Sequence, residues 1–158
     1  MPRNRKQTRR LITFGGIAII GVLIAFMVFL QVEASRNNEF KRAFEKIVID
    51  TNALTQEYTK QEDQWLSRDN NTMTQVIDQY LPKYDMLVER AKTLDTPEKY
   101  TSAQEYLVSA IDLERQSYQH FRNYLVTGDE SEYRMSSDMI SRSLEESVNA
   151  DAAIKAAG

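Results

Sequence analysis

A single histidine, His120, and no cysteine stand among the 158 residues, and this bounds the available chemistry. A Ser-His-Asp set can be assembled from the residue types present, but no nucleophile motif or glycine-rich oxyanion loop accompanies it. A di-iron bundle needs two Glu-x-x-His pairs, and zinc sites draw on several Cys or His ligands, so one histidine serves neither. Phosphate-loop and dinucleotide fingerprints are missing too. The chain therefore reads as non-enzymatic, with no catalytic residue, cofactor or metal expected, and His120 reads as a surface or boundary side chain.

What remains is chemistry of binding rather than of reaction. Glu114 falls on an inward slot of a helical pattern with Arg115 beside it, and a buried acid must be paired or carry a raised pKa. Eight tyrosines are unusual for this length, and their amphipathic rings suit either a bundle core or an aromatic docking face. Trp65, near a helix end, and Tyr106 and Tyr118, beside the apolar stripe of their helix, are the candidate interaction residues. Acidic pairs such as Glu62-Asp63 and Glu145-Glu146 read as solvated helix faces. Asn70-Asn71-Thr72 is a glycosylation sequon placed on a turn, so Asn70 is a candidate acceptor.

The elements that must position these residues are helices. Beyond Val32 the helix breakers are Pro82, Pro97, Gly128 and Gly158, and no strand-like alternation with hairpin turns occurs. Phe40, Phe44, Ile47, Leu54, Tyr58 and Trp65 step by three and four, with Thr51 and Gln61 in the polar slots, which predicts a helix over 33–68. A polar turn follows. Met73, Val76, Ile77, Tyr80, Tyr84, Leu87, Val88 and Ala91 then make the stripe of a second helix over 72–94, which Pro82 should kink or split at Leu81. Asp95-Thr96-Pro97-Glu98 is a helix-start signal for a third helix over 97–127, whose inward face holds Tyr100, Ala103, Leu107, Ala110, Ser117, Phe121 and Tyr124. Gly128 should end it as a left-handed cap, and Asp129 with Glu132 resembles a capping box for a fourth helix over 130–156. That helix carries Tyr133, Ser136, Ile140, Leu144, Ser147, Val148 and Ile154. Short turns between amphipathic helices predict an all-α, antiparallel four-helix bundle.

Ahead of the bundle, residues 11–32 carry no charge, and Arg3, Arg5, Lys6, Arg9 and Arg10 precede them. About 20 apolar residues span a hydrocarbon core of about 30 Å, and the basic flank keeps residues 1–10 in the cytoplasm as a tail. The expectation is a single-pass anchor that continues into the first bundle helix and holds 33–158 outside the membrane, periplasmic or extracellular. The apolar run is longer than a cleaved signal peptide needs, although Val32-Glu33-Ala34 resembles a cleavage pattern. Gly21 and Ala25 form a small-xxx-small pair suited to packing against another membrane helix. All 23 acidic residues but only 15 of the 20 basic ones lie beyond Val32, which argues against nucleic acid and against anionic lipid as a binding surface.

This layout, a membrane span running directly into the first of four outward helices, resembles the extracytoplasmic bundles of bacterial and archaeal chemoreceptors and sensor kinases. The resemblance covers architecture and implies the fold. It carries no diagnostic motif, and those families send a second span back to an output domain, for which this sequence offers no second apolar run. The functional expectation is an accessory or interaction subunit of a larger membrane or envelope complex, whose partners are other envelope proteins. Heptad faces of this kind also suit a homo-oligomer. The alternative is a ligand-binding or sensory bundle that acts through a partner protein, with its pocket near Pro82 or around Glu114.

Overall fold

The computed structural model describes residues 35–65 and 69–158, with the side chains of 35–36 and 62–65 outside that description. It comprises α1 (Ser35–Trp65), α2 (Asn70–Lys92), a 3-10 turn (Glu98–Tyr100), α3 (Thr101–Thr127) and α4 (Glu130–Ala157). The four helices pack as a bundle, and no strand occurs among the described residues. The basic tail Arg3, Arg5, Lys6, Arg9 and Arg10, the apolar run 11–32 with Gly21 and Ala25, and the join between that run and α1 all lie outside the described residues. Among those described, no helix is long and apolar enough to cross a membrane.

Polar pairs across the seams fix the helix directions. Asp50 meets Arg90 at 2.7 Å while Glu57 accepts from Tyr80 at 2.8 Å, so α1 and α2 are antiparallel. Asp78 accepts from Nε and Nη2 of Arg122, and Asp85 lies 3.4 Å from Arg115, which sets α3 antiparallel to α2. Along α3 and α4, Ser143 donates to the Ala110 carbonyl at 2.8 Å and Ser117 to the Ser136 carbonyl at 2.9 Å. Ala103, Ala110 and Ser117 face Ser136, Ser143 and Ala150 there, and these small side chains make α3–α4 the tightest seam. Among the described residues the α1–α4 seam is the loosest.

Apolar stripes at three- and four-residue spacing meet in one core. Phe44, Ile47, Ile77, Ile111 and Ile154 are buried in it, each contributing about 1.5–3 kcal/mol relative to exposure. At one end Phe40 stacks on Tyr100 with centroids 4.9 Å apart. At mid-height Tyr58, Tyr80, Tyr84 and Tyr118 form a connected aromatic cluster.

Several local expectations are corrected. α2 runs through Pro82 without splitting, because Pro82 is exposed and its missing N–H is lost on the solvent face. Neither Asp95 nor Thr96 caps the third helix: Pro97 occupies the cap position of the 3-10 turn, which leads into α3 through Tyr100. Gly128 does end α3 in the left-handed region, at φ 72°. Asp129 caps α4 by accepting from the Ser131 N–H at 2.8 Å, but Glu132 turns to α3 instead of closing a capping box. Val148 is exposed rather than inward. Asn70 and Asn71 open α2 rather than lying in the turn before it, with Asp69 as their N-cap.

Candidate functional site

Glu114 is the one carboxylate fully enclosed by the described core, at 1% relative exposure. It sits mid-way along α3, where the heptad slot points it between α1 and α2. Three hydroxyls from three helices converge on its Oε1: Thr55 of α1 at 2.8 Å, Tyr84 of α2 at 3.0 Å and Tyr118 of α3 at 2.9 Å. Thr55 has one proton and two further oxygens in reach, the Tyr84 hydroxyl and the Thr51 carbonyl, both at 3.0 Å. No hydrogen bond reaches Oε2 among the described residues.

Two effects oppose each other at this carboxyl. Burial disfavours the charge by several kcal/mol, whereas each hydroxyl donated to a carboxylate returns about 1.5–3 kcal/mol. Burial prevails, so the Glu114 carboxyl is held above the ordinary carboxylate value against the pull of Thr55, Tyr118 and Tyr84. Burial first, and the Glu114 charge second, push the Tyr84 and Tyr118 phenols well above the usual phenol value. Tyr80, at the edge of the same cluster, is pushed up to about 12 by burial and by its bond to Glu57.

Beside Glu114, in the loose seam, α1, α3 and α4 enclose a cavity of about 20 Å³, room for one water-sized group. Its polar lining is Thr51, Glu114, Ser143, Ser147 and Asp151, and the rest is hydrocarbon from residues such as Phe44, Val48 and Ile111. Asp151 binds Lys155 through Oδ2 at 2.6 Å, while its Oδ1 is buried and meets no hydrogen-bond donor. Asn52, one residue past Thr51, is likewise buried with its amide unpartnered among the described residues.

The residues singled out from sequence are distributed differently. Glu114 is inward, and its neighbour Arg115 pairs outward with Asp112 and Asp85. Tyr118 is buried, contrary to its reading as a surface interaction residue. α3 touches all three other helices and so buries a stripe wider than a heptad seam, which takes position 118 inside. Tyr106 is exposed at 37%. Trp65 closes α1, and its side chain lies outside the described residues. The Asn70 side-chain nitrogen donates to the Leu125 carbonyl at 3.2 Å, which engages the atom that glycosylation needs. His120 is partly buried, its Nδ1 2.8 Å from Glu132. That contact, ahead of one from Asn123, lowers the Glu132 pKa. No cluster of three or more His, Cys, Asp or Glu suited to a metal occurs among the described residues.

Sequence reasoning missed Thr55, Tyr84, Ser143, Ser147 and Asp151 as members of one site. The available signal was small hydroxyl residues recurring at inward helical positions. Compared with protein-family models, curated proteins and solved structures, the chain matches none.

Proposed function

We propose that this chain is a single-pass membrane protein whose outward bundle is a ligand-binding or sensory module that acts through a partner protein. The carrying observation is the buried Glu114 carboxyl beside a cavity in the bundle's loosest seam, where polar oxygens interrupt a largely hydrocarbon wall. A bundle selected only for rigidity gains nothing from burying a charge, since hydrocarbon of similar volume is as stable or more so. The uncharged run 11–32 behind five basic residues supports the anchor and the orientation. The resemblance to the outward bundles of chemoreceptors supports the fold and not the function.

A second reading, an accessory subunit of an envelope complex, draws on exposed apolar side chains. Ile49 and Val148 are both exposed, and each stands one residue past a cavity-lining residue, Val48 and Ser147. They give the α1–α4 seam an apolar border that a partner could cover.

One experiment separates the two. The tagged full chain is pulled down from gently solubilised membranes as wild type, Ser147→Val and Val148→Glu, and its melting is followed with a panel of small polar compounds. The sensory reading expects a compound that raises the melting temperature in wild type but not in Ser147→Val, with a partner retained by both. A stoichiometric partner lost in Val148→Glu, with no compound active, establishes the accessory reading. A lone monomer with no active compound removes both.

A further inference from the structure

Once Glu114 is ionised, every polar side chain on the wall of the cavity beside it presents a hydrogen-bond acceptor. Each hydroxyl on its wall has already given its single proton to a backbone carbonyl: Thr51 to Ile47 at 2.8 Å, Ser143 to Ala110 at 2.8 Å and Ser147 to Ser143 at 2.9 Å. What they turn to the cavity is lone pairs. Glu114 adds Oε2, whose companion oxygen takes all three of that residue's donors. Asp151 adds the buried Oδ1 that meets no donor. The remaining walls are hydrocarbon, and no Lys, Arg or His lines the cavity. The buried cation nearest in sequence to these α1 residues, Lys41, lies over the Tyr100 ring at 5.5 Å instead.

We propose that this cavity is a binding site for a small monovalent cation bearing N–H donors, namely ammonium or the head of a primary amine. The proposal rests on the reading of the cavity as a ligand site and names the ligand's chemistry. An all-acceptor wall with two carboxylates is mismatched to anions, to carbonyl compounds and to any group that must accept a hydrogen bond. About 20 Å³ admits a group the size of water, so a bare ammonium fits, whereas a quaternary ammonium is too large and has no N–H. Several N–H donors pointing in different directions satisfy dispersed oxygens on three helices. An alkali cation matches the charge but makes no directional hydrogen bonds and needs oxygens on most sides, whereas this lining is mostly hydrocarbon. The loose α1–α4 seam leaves a way for an alkyl tail to reach solvent.

The test is thermal unfolding of the full chain in detergent at constant ionic strength, titrated with ammonium, methylammonium, potassium, sodium or tetramethylammonium chloride. The expected result is a saturable rise in melting temperature with ammonium and methylammonium, and none with tetramethylammonium. Asp151→Asn, at a position whose side chain is 20% exposed, is expected to weaken the apparent affinity about tenfold or more. Ser147→Val, which fills the cavity, is expected to abolish the response. Equal responses to all five salts, or an ammonium response unchanged in both variants, overturn the proposal. If instead neutral or anionic compounds raise the melting temperature and Ser147→Val removes that effect, the cavity is still a ligand site and only the cation assignment falls. If nothing shifts melting and Ser147→Val simply stabilises the fold, the ligand-site reading falls with it.

Discussion

At the scale of single residues, Glu114 is the expensive choice in this protein, and its cost should be visible in pH dependence. Its folded pKa is raised by burial. Linkage then makes its contribution to stability full below the unfolded value, about 4.3, and progressively lost as pH rises through the higher folded value. Glu114→Gln should remove that decline, so the difference between wild type and variant in urea unfolding should change steadily over this window. A constant difference across pH would mean that folding leaves the Glu114 pKa unshifted. Glu132 carries the opposite sign. Its pKa is lowered by His120 and Asn123, so its contribution is present above the ordinary carboxylate value and lost as pH falls. Tyr118→Phe keeps the ring contacts with Tyr58 and Tyr84 but removes one of three donors to Glu114. It should cost about 1.5–3 kcal/mol in the same denaturation assay. A cost near zero would show that Thr55 and Tyr84 suffice to hold the carboxylate.

At the scale of elements, the helix ends carry separable contributions. Asp129 both starts α4 and follows the Gly128 cap of α3, so the α3–α4 turn is specified by two adjacent residues. Asp129→Ala should lose about 1 kcal/mol of stability, as caps usually do. Gly128→Ala should lose a similar amount, about 1 kcal/mol, because φ 72° is strained for any side chain although the surrounding space is open. Calorimetry of the two variants and their double would show whether the turn acts as one unit. The sequence made these ends legible because capping uses residues one to three positions apart. It misled at Pro82, where exposure makes the missing N–H harmless, and at Thr96, which bonds the Leu94 carbonyl at 3.1 Å rather than a helix terminus. It also misled at position 118, because a heptad describes a helix with one neighbouring seam and α3 has three.

At the scale of the whole molecule, charge and hydropathy are arranged in blocks along the chain, and our reading of topology follows from that order. The full chain should remain with membranes after alkaline carbonate washing. Residues beyond Val32 should be open to protease from outside the cytoplasmic compartment. Replacing Arg3, Arg5, Lys6, Arg9 and Arg10 with Gln should produce mixed orientations in the same protease assay, since those residues supply the asymmetry. Release by carbonate would show that the apolar run does not span.

The sequence by itself determined the helical class, the four segments to within a few residues, the Gly128 stop and the inward position of Glu114. These depend on spacing of three or four residues and on turn chemistry, which are local properties of the chain. Only the tertiary structure decided that Thr55, Tyr84 and Tyr118 share one carboxylate oxygen, and that Ser143, Ser147 and Asp151 wall a cavity beside it. Thr55 and Glu114 are 59 residues apart, and no periodicity specifies which inward positions on different helices come to the same height. That register is set by how the side chains of neighbouring helices interlock. The tight Ala–Ser seam of α3–α4 and the loose α1–α4 seam are its result.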